Sequence, residues 1–409
     1  MDIRQQKGLE IAARLKIVKD GEVWIVPSQT GKGKYRVDMR GPVPRCTCQD
    51  YELRQARCKH IYAVEYSIER DTAPEGQSLT IEETITETVT KTVKVTYPQN
   101  WPAYNAAQTN EKDHFQELLF DLCRGIEEPP QKETGRHRLP LRDMLFSIAF
   151  KVYSTFSGRR FICDLKSAWE KGFISKVPHF NSIFNYLEME TLTPMLLSLI
   201  VQSSLPLAAI ETTFAPDSSG FSTVGKVSWY NSRYGHEQSN QDWLKVHIVT
   251  GVKTNIITAV EITGRHDHDS PQFTPMITAT AENFDVQEVT ADKAYLSGKN
   301  MELVASFGGV AFIPFKSNAT GETSGSALFE KMYHYFCYRR EEFLAHYHIR
   351  SNVESTFSMM KAKFGGSIRS KTETAQINEV LCKVLCHNIC VVIQSIYELG
   401  IEPTFWATE

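Results

Sequence analysis

The sequence carries no excess charge of either sign and little cysteine. Lysine and arginine total 45 against 48 for aspartate and glutamate, which gives a formal net charge of −3. No overall basic excess therefore points to a nucleic-acid partner, and any such partner must be bound by local basic patches. Nine cysteines in 409 residues are too few for the disulfide framework of a secreted protein.

A secretory signal and a clean membrane span are also missing. Residues 1–20 lack the charged, apolar and small-residue order of a signal peptide, which predicts a protein that stays inside the cell. The nearest candidate for a membrane span covers residues 191–210, but Pro194, Pro206 and several polar side chains interrupt it. A span needs about 20 mostly apolar residues, so we interpret this segment as a buried helix followed by a strand.

The remaining composition is that of a folded protein with several domains. Hydrophobic residues make up 42% and charged residues 23%, which are ordinary globular proportions. At about 150 residues per domain, the length predicts two or three domains. The pattern along the chain indicates a small module over residues 1–72, a threonine-rich linker over 73–100, a helical domain over 101–205 and an α/β domain over 206–409.

Hydrophobic periodicity gives a coarse secondary structure for these segments. Two strands flank a glycine-bearing turn over residues 21–39, and a helix over 50–68 completes a strand-strand-helix (ββα) module. From residue 205 onward strand-like runs alternate with helical ones, which predicts a mixed α/β sheet with helices on both faces. The predicted strands cover residues 207–214, 243–251, 256–262, 286–291 and 310–315.

Four potential metal ligands lie close together near the N-terminus: Cys46, Cys48, Cys58 and His60. Three thiolates and one imidazole suit a tetrahedral zinc ion, and a closed four-ligand site stabilises a module too small to fold without it. The alternative is that these are ordinary reduced cysteines. The Cys-x-Cys and Cys-x-His pairs, preceded by two strands, resemble the SWIM zinc finger, a module that binds nucleic acid or protein. A modest basic excess over residues 1–72 favours a phosphate backbone without settling the partner.

A second group of cysteines receives a different interpretation. Cys382, Cys386 and Cys390 recur every four residues beside His387 in a strongly apolar helical segment. This spacing places the three thiols on one helix face. A second metal site is the alternative, but buried small hydrophobic side chains are favoured.

Two aspartates follow strand-like runs. Asp217 comes after the run over residues 207–214, and Asp292 comes after the run over 286–291. Two strand-end carboxylates of one sheet can converge, although either alone could be a helix N-cap or a loop residue. His268 and Asp269 form a further polar pair with a possible catalytic or metal-binding role, but an N-cap at Asp269 or Ser270 is favoured.

A third carboxylate lies on a late helical segment. Tyr347, Arg350, Glu354 and Lys361 follow one another at steps of 3, 4 and 7 residues. At 3.6 residues per turn their side chains fall within an arc of ~60°. One helix face thus carries a phenol, a guanidinium, a carboxylate and an ammonium, although a surface salt-bridge ladder would give the same spacing.

Together these motifs resemble the DDE transposases of bacterial insertion sequences, a group built on a ribonuclease H-like fold. The late helix matches the group's Tyr-x2-Arg-x3-Glu-x6-Lys signature at every position. The residues around Asp217 and Asp292 are similar to the motifs around the first two carboxylates, and residues 243–247 resemble the second strand. The span from Asp292 to Glu354 is too short for the large β-rich insertion of some relatives, and the front module is absent from many.

The resemblance implies a function and a set of site residues. Asp217, Asp292 and Glu354 would hold two Mg²⁺ (or Mn²⁺) ions that cut element ends and join them to target DNA. The implied partners are double-stranded DNA, as terminal repeats and target, and a second copy in a DNA-bound synaptic complex. The expected setting is the cytoplasm of a prokaryotic host, at the nucleoid. The expected DNA-contacting residues are Tyr347, Arg350, Lys361, Lys363, Arg369 and Lys293.

Three alternatives stay open at this point. The basic residues beyond Lys361 could form a solvated helix face instead of a phosphate contact. The enzyme could be a ribonuclease H-like nuclease without strand transfer. The chain could also be a non-catalytic zinc-finger regulator that binds DNA. The helical domain over residues 101–205 is expected to read the terminal repeats, with no recognition helix identified.

Overall fold

The computed structural model of the chain describes residues 3–29, 33–72, 100–131, 134, 137–223, 243–316, 319 and 326–406. The predicted linker over 73–100 therefore lies outside the described residues except for its last one, as does the middle of the predicted glycine-bearing turn. The chain divides into two compact units, Met1–Val95 and Thr96–Glu409.

The first unit contains a four-stranded antiparallel sheet of order β1-β2-β3-β4 and three helices. Its elements are α1 (Ile3–Arg14), β1 (Val18–Asp20), β2 (Val23–Pro27), β3 (Lys34–Asp38), β4 (Arg45–Cys46), α2 (Gln49–Arg54) and α3 (Lys59–Thr72).

The core of the first unit is small. Val26 and Val37 from the sheet meet Ile61 of α3 and Ile11 of α1. Helices α1 and α3 cross so closely that a Cβ at Gly8 would lie 2.6 Å from the Cβ of Tyr62. The two predicted strands are confirmed as β2 and β3, but the helix predicted over residues 50–68 is two helices, α2 and α3, separated by residues 55–58. Helix α1 and strands β1 and β4 extend this arrangement.

The second unit begins with five helices: α4 (Trp101–Arg124), α5 (Leu141–Ser154), α6 (Gly158–Glu170), α7 (Phe180–Leu187) and α8 (Leu192–Ser204). These five helices agree with the helical character predicted for residues 101–205, and α4 begins at Trp101. The Asn100 side chain accepts a hydrogen bond from the Ala103 N–H at 3.3 Å, and Pro102 occupies the first turn. Both features favour a helix start, and the polar turns that follow hide it from hydrophobic periodicity.

The remaining elements form and cover the main sheet. The strands are β5 (Thr213–Ser222), β6 (Trp243–Gly251), β7 (Ile257–Thr263), β8 (Glu288–Thr290) and β9 (Val310–Phe312). The helices are α9 (Ser270–Ala281), α10 (Gly298–Ser306), α11 (Ala327–Tyr338), α12 (Arg340–His348), α13 (Ser351–Phe364) and α14 (Glu373–Leu399).

The main sheet is mixed and has the order β7-β6-β5-β8-β9. β6 runs antiparallel to both of its neighbours, whereas β5, β8 and β9 are parallel. Successive side chains alternate between faces: Ala215 packs with α8, α13 and α14, and Phe214 packs with α9 to α12. The predicted fold class, a mixed α/β sheet with helices on both faces preceded by helices and a small zinc-type module, is confirmed.

The five helices α4 to α8 share one hydrophobic cluster with the first face of this sheet. Phe115, Phe146 and Leu199 belong to the same buried group as Ile248 of β6 and Leu385 of α14. A domain boundary near residue 205 stays a prediction.

The predicted strand over residues 207–214 is wrong. A 3₁₀ turn covers Leu205–Leu207, and β5 starts only at Thr213. Between them the buried Glu211 accepts hydrogen bonds from the N–H groups of Lys253, at 3.1 Å, and Thr254, at the turn after β6. The chain bends between the 3₁₀ turn and β5, and Glu211 in this bend accepts hydrogen bonds from the turn after β6.

Helix α14 is the central element of the second unit. Within the described ranges it is the one helix long and apolar enough to cross a membrane, but 78% of its most apolar window is buried inside the fold. Cys382 and Cys386 are fully buried and Cys390 is half-buried, which confirms the interpretation as packing side chains. Burial lowers the pKa of His387 to about 4, so this histidine is neutral at pH 7.

Asn388 ties α14 to the sheet and to α8. Its Oδ1 accepts from the Ile257 N–H at 2.9 Å, and its Nδ2 donates to the Ile257 carbonyl at 2.7 Å and to Ser203 Oγ at 3.0 Å. The side chain is fully buried. Because buried polar groups are costly to leave unpaired, this amide fixes the position of α14 relative to β7 and α8.

Replacing this amide should destabilise the second unit. Asn388→Ala leaves buried groups of β7 and α8 without partners, so we expect the free energy of unfolding to fall by about 3 kcal/mol. Glu398→Ala, on an exposed part of the same helix, should change it by less than about 0.5 kcal/mol. Chemical denaturation measures both, and equal effects would contradict the assignment.

Candidate active site and zinc centre

Asp217 lies in the middle of β5 and not at a strand end. The strand continues to Ser222, and Asp217 is paired with Ile248 of β6. The polar sequence around it is typical of a turn, but pairing with the long strand β6 keeps it extended. Asp217 therefore lies on a rigid element, as accurate positioning of a functional group requires.

Asp292 follows the neighbouring strand β8. β5 and β8 pair in parallel with Thr213 opposite Glu288 and Phe214 opposite Val289, and Asp292 lies two residues past the end of β8. The charges of Asp217 and Asp292 both raise the pKa of the Tyr295 phenol, so both carboxylates lie near this side chain. That Asp292 shares one metal site with Asp217 and Glu354 stays a prediction.

Both aspartates also make the same local hydrogen bond. Asp217 Oδ1 accepts from the Ser218 N–H at 2.8 Å, and Asp292 Oδ1 accepts from the Lys293 N–H at 2.6 Å. One oxygen of each carboxylate is held by the backbone.

Glu354 lies in the first turn of α13. The predicted continuous helix is in fact two helices, α12 and α13, because the N–H groups of Arg350 and Val353 donate to carbonyls three residues back. Such 3₁₀-type bonds tighten the chain locally. The tight turn at Ile349 lies immediately before Arg350.

Arg350 connects this helix to the sheet. Its Nη1 donates to Asp217 Oδ2 at 2.9 Å, and its Nη2 donates to Glu354 Oε1 at 2.7 Å. The first and third predicted carboxylates, far apart in sequence, thus share one guanidinium. Its planar fork allows it to hold two carboxylates at once.

The electrostatics of this group follow from burial. Burial raises the pKa of Asp217, against the hydrogen bond from Ser218 and the charge of Arg350, which lower it. Burial alone would lower the pKa of Arg350, but Asp217 and Tyr347 raise it. The guanidinium therefore stays charged, and Tyr347 lies beside it.

Lys361 contacts the same strand two residues beyond Asp217. Its Nζ donates to Ser219 Oγ at 2.6 Å and lies 5.1 Å from the centre of the Phe221 ring. Burial lowers its pKa. Asp217, Ser219 and Phe221 face the same side of β5, so α13 aligns Lys361 and Glu354 along one face of that strand.

The other predicted DNA contacts are placed differently. Lys293 is exposed beside Asp292. Lys363 forms an ion pair with Glu111 of α4, and the Arg369 guanidinium donates to the Thr155 carbonyl at 2.5 Å. The structure does not bring Lys363 or Arg369 to the carboxylates.

Two further groups lie near this site: Asp269, which the sequence marks chiefly as a helix N-cap, and Tyr295, which sequence patterns did not reveal. Asp269 holds the N-cap position of α9, as predicted, but its side chain caps nothing and instead accepts from Ser218 Oγ at 2.9 Å. Tyr295 is almost fully buried, and its hydroxyl has no hydrogen-bond partner among the described residues. Burial and the charges of Asp269, Asp217 and Asp292 raise its pKa. His268, the other member of the polar pair, is exposed.

The donor set of this site suits hard divalent cations. Asp217, Asp292 and Glu354 offer oxygen ligands, which Mg²⁺ and Mn²⁺ prefer. Burial has already raised the pKa of Asp217, and a partly buried carboxylate is stabilised by a nearby positive charge. The residues present therefore fit a divalent ion beside the middle of β5.

The zinc-type cluster is built by three elements of the first unit. Cys46 lies on β4, Cys48 precedes α2, and Cys58 and His60 lie at the start of α3. One ligand atom from each lies within 4.8 Å of the others, and all four residues are buried. No second group of this kind occurs in the part of the chain that the structure describes.

The imidazole and the thiols face one another. His60 Nδ1 is 3.9 Å from the Sγ atoms of both Cys46 and Cys58, and the ring stacks on Tyr35 with centroids 4.1 Å apart. A hydrogen bond with Cys48 raises the pKa of Cys46, and a hydrogen bond with Cys46 lowers that of Cys58. Three crowded thiols and an imidazole are the ligand set of a closed structural zinc site.

Comparison with known families agrees with both sites. Residues 209–389 match the family model described as the transposase DDE domain, and residues 35–69 match the SWIM zinc finger. The first match contains all three predicted carboxylates, and the second contains all four cysteine and histidine ligands. Searches of curated proteins and of solved structures gave no match.

Loss of one ligand should release the metal. We expect Cys58→Ser to lose about one zinc per chain and to unfold residues 21–68, because metal binding supplies the folding free energy of such modules. The second unit should stay folded. Elemental analysis and circular dichroism measure these effects, with Cys163→Ser, an exposed cysteine of α6, as the matched control. Full zinc content in Cys58→Ser would refute the site.

Proposed function

We propose that this chain, which carries a transposase DDE domain and an N-terminal SWIM zinc finger, is a DNA transposase that cuts element ends and joins them to target DNA. The domain implies a nucleic-acid-processing enzyme with DNA as its partner. The observation that carries the proposal is the Arg350 guanidinium, which contacts Asp217 at 2.9 Å and Glu354 at 2.7 Å. It connects α13 to the central strand β5, next to β8, which Asp292 follows.

Asp217, Asp292 and Glu354 would hold the divalent ions, Mg²⁺ or Mn²⁺. When bound, two such ions supply an activated oxygen nucleophile and stabilise the leaving oxygen. The chain's own residues would position the ions: Asp217 lies on β5, Asp292 follows β8, and the Arg350 guanidinium connects Glu354 of α13 to Asp217. The Ser218 and Lys293 N–H groups orient one oxygen of each aspartate.

Cationic groups around the carboxylates would hold the DNA backbone. Lys361 lies along β5 from Asp217, and Lys293 is exposed next to Asp292. Phosphates repelled by the carboxylates need such counter-charges, and contacts of this kind position the strand without reading its sequence. Arg350 and Tyr347 would also contact the DNA strand.

The other parts of the chain have supporting roles in this proposal. The zinc ion holds the SWIM module folded, and helices α4 to α8 read the terminal repeats. A homodimer in a DNA-bound synaptic complex follows from the reaction, because two element ends must be cut and joined together. The enzyme would act in the cytoplasm, at the DNA of its host.

Replacing the carboxylate of Asp217 or Glu354 by an amide of the same shape tests the active site. Asp217→Asn and Glu354→Gln should each lower Mg²⁺-dependent cleavage of element-end DNA by roughly a thousandfold, because a group acting with others as a unit cannot be compensated. Single-turnover cleavage of labelled DNA measures the rate. Glu302→Gln, at an exposed carboxylate of α10, should cleave at the wild-type rate.

The products of the same assay separate the alternatives. Donor ends with 3′-hydroxyl groups covalently joined to target DNA identify a transposase. Cleavage without joined products would instead identify a nuclease, and DNA binding without cleavage by the wild-type protein would identify a regulator. Unchanged cleavage by Asp217→Asn would show that the active site lies elsewhere.

A further inference from the structure

Asp269 is placed to do more than begin a helix. Besides Ser218 Oγ at 2.9 Å, its Oδ1 contacts Lys245 Nζ at 2.7 Å and lies 3.4 Å from His247 Nδ1. Lys245 and His247 belong to β6, and Ser218 belongs to β5. One carboxylate thus ties the start of α9 to both strands at the level of the active site.

Among the described residues, this part of β5 pairs with a strand on one side only. β8 pairs with β5 at Thr213 and Phe214, and a bridge joins Ser222 to Ser367. Between these two points the strand partner of β5 in the described part of the chain is β6. The Ser218 N–H takes the Asp217 carboxylate as its acceptor, at 2.8 Å.

Asp269 and Asp217 lie on opposite faces of this strand. Neighbouring residues of a strand point to opposite sides, so Ser218 faces Asp269 while Asp217 faces Arg350 and α13. Ser218 therefore links the two carboxylates. Its hydroxyl donates a hydrogen bond to Asp269, and its N–H donates one to Asp217. Movement of this residue would move the carboxylate on the other face.

We propose that Asp269 is a positioning residue of the active site, which acts through Ser218 to hold the Asp217 carboxylate in its reactive orientation. This inference rests on the proposed function. Asp269 itself does not touch the reacting atoms, since the sheet separates it from the side where Glu354 lies.

The surrounding charges keep Asp269 in the form that this role requires. Burial alone would raise its pKa, but hydrogen bonds from Lys245 and Ser218 lower it below the ordinary value. His247 is fully buried, and burial lowers its pKa, so Lys245 is the cation that pairs with Asp269 at neutral pH. An ionised Asp269 is an acceptor only, which fixes the direction of the Ser218 hydroxyl hydrogen.

Substitutions at both ends of the link test the proposal. We expect Asp269→Ala to lower single-turnover cleavage about tenfold, since misplacing a reacting group by ~1 Å can cost up to about a hundredfold. Asp269→Asn keeps an oxygen acceptor for Ser218 and should stay within about threefold of wild type. DNA affinity should not change in either variant.

A double-mutant cycle separates positioning from general destabilisation. Ser218→Ala should reproduce the loss seen in Asp269→Ala, and the double variant should be no slower than either alone, because both break one link. Multiplied losses in the double variant would overturn the proposal. Asp267→Asn, in the same loop but bonded to the Gly264 N–H, should cleave like wild type.

A second measurement does not depend on activity. Hydrogen exchange of the β5 peptide spanning residues 215–221 should be about tenfold faster in Asp269→Ala, and unchanged in Asp267→Asn. Unchanged exchange in a folded Asp269→Ala protein would refute the positioning role whatever the cleavage result. Faster exchange in a protein whose wild type never cleaves DNA would refute the proposed function and leave the structural link standing.

Discussion

The active-site arrangement depends on one guanidinium shared by two carboxylates. Arg350 contacts Asp217 on a central strand and Glu354 on a helix that follows more than a hundred residues later. Without it the two acids would repel each other beside the middle of β5, where burial already raises the pKa of Asp217. The tight turn between α12 and α13 lies immediately before Arg350, so a local backbone feature sets a long-range contact.

The two sites of this chain differ in ligand chemistry: sulfur and nitrogen ligands suit a structural metal site, and carboxylate ligands suit a reactive one. The cysteine and histidine cluster is fully buried and crowded, as suits a soft, closed site that stabilises a small module. The carboxylates lie on a large sheet that needs no metal for its core, and Glu354 remains largely exposed. An open oxygen site of this kind can accept ions and substrate together.

Much of this could be predicted from the sequence because the signals were local. The cysteine and histidine spacing predicted the cluster, and the helical periodicity predicted the face that carries Arg350 and Glu354. Errors occurred where a long-range contact overrides local pattern. Residues 207–210 have the sequence pattern of a strand but form a turn, after which Glu211 contacts a loop distant in sequence. The polar residues after Asp217 have the pattern of a turn but are held extended by pairing with β6.

The sequence by itself determined which residue types are available and how they repeat along each element, since ligand spacing and helical periodicity are properties of neighbours in the chain. Only the tertiary structure decided that Arg350 connects Asp217 to Glu354 and that Asp269 contacts Ser218 instead of capping its helix. Strand register and the partner of a loop side chain are set by hydrogen bonds between segments far apart in sequence, and no local pattern records them.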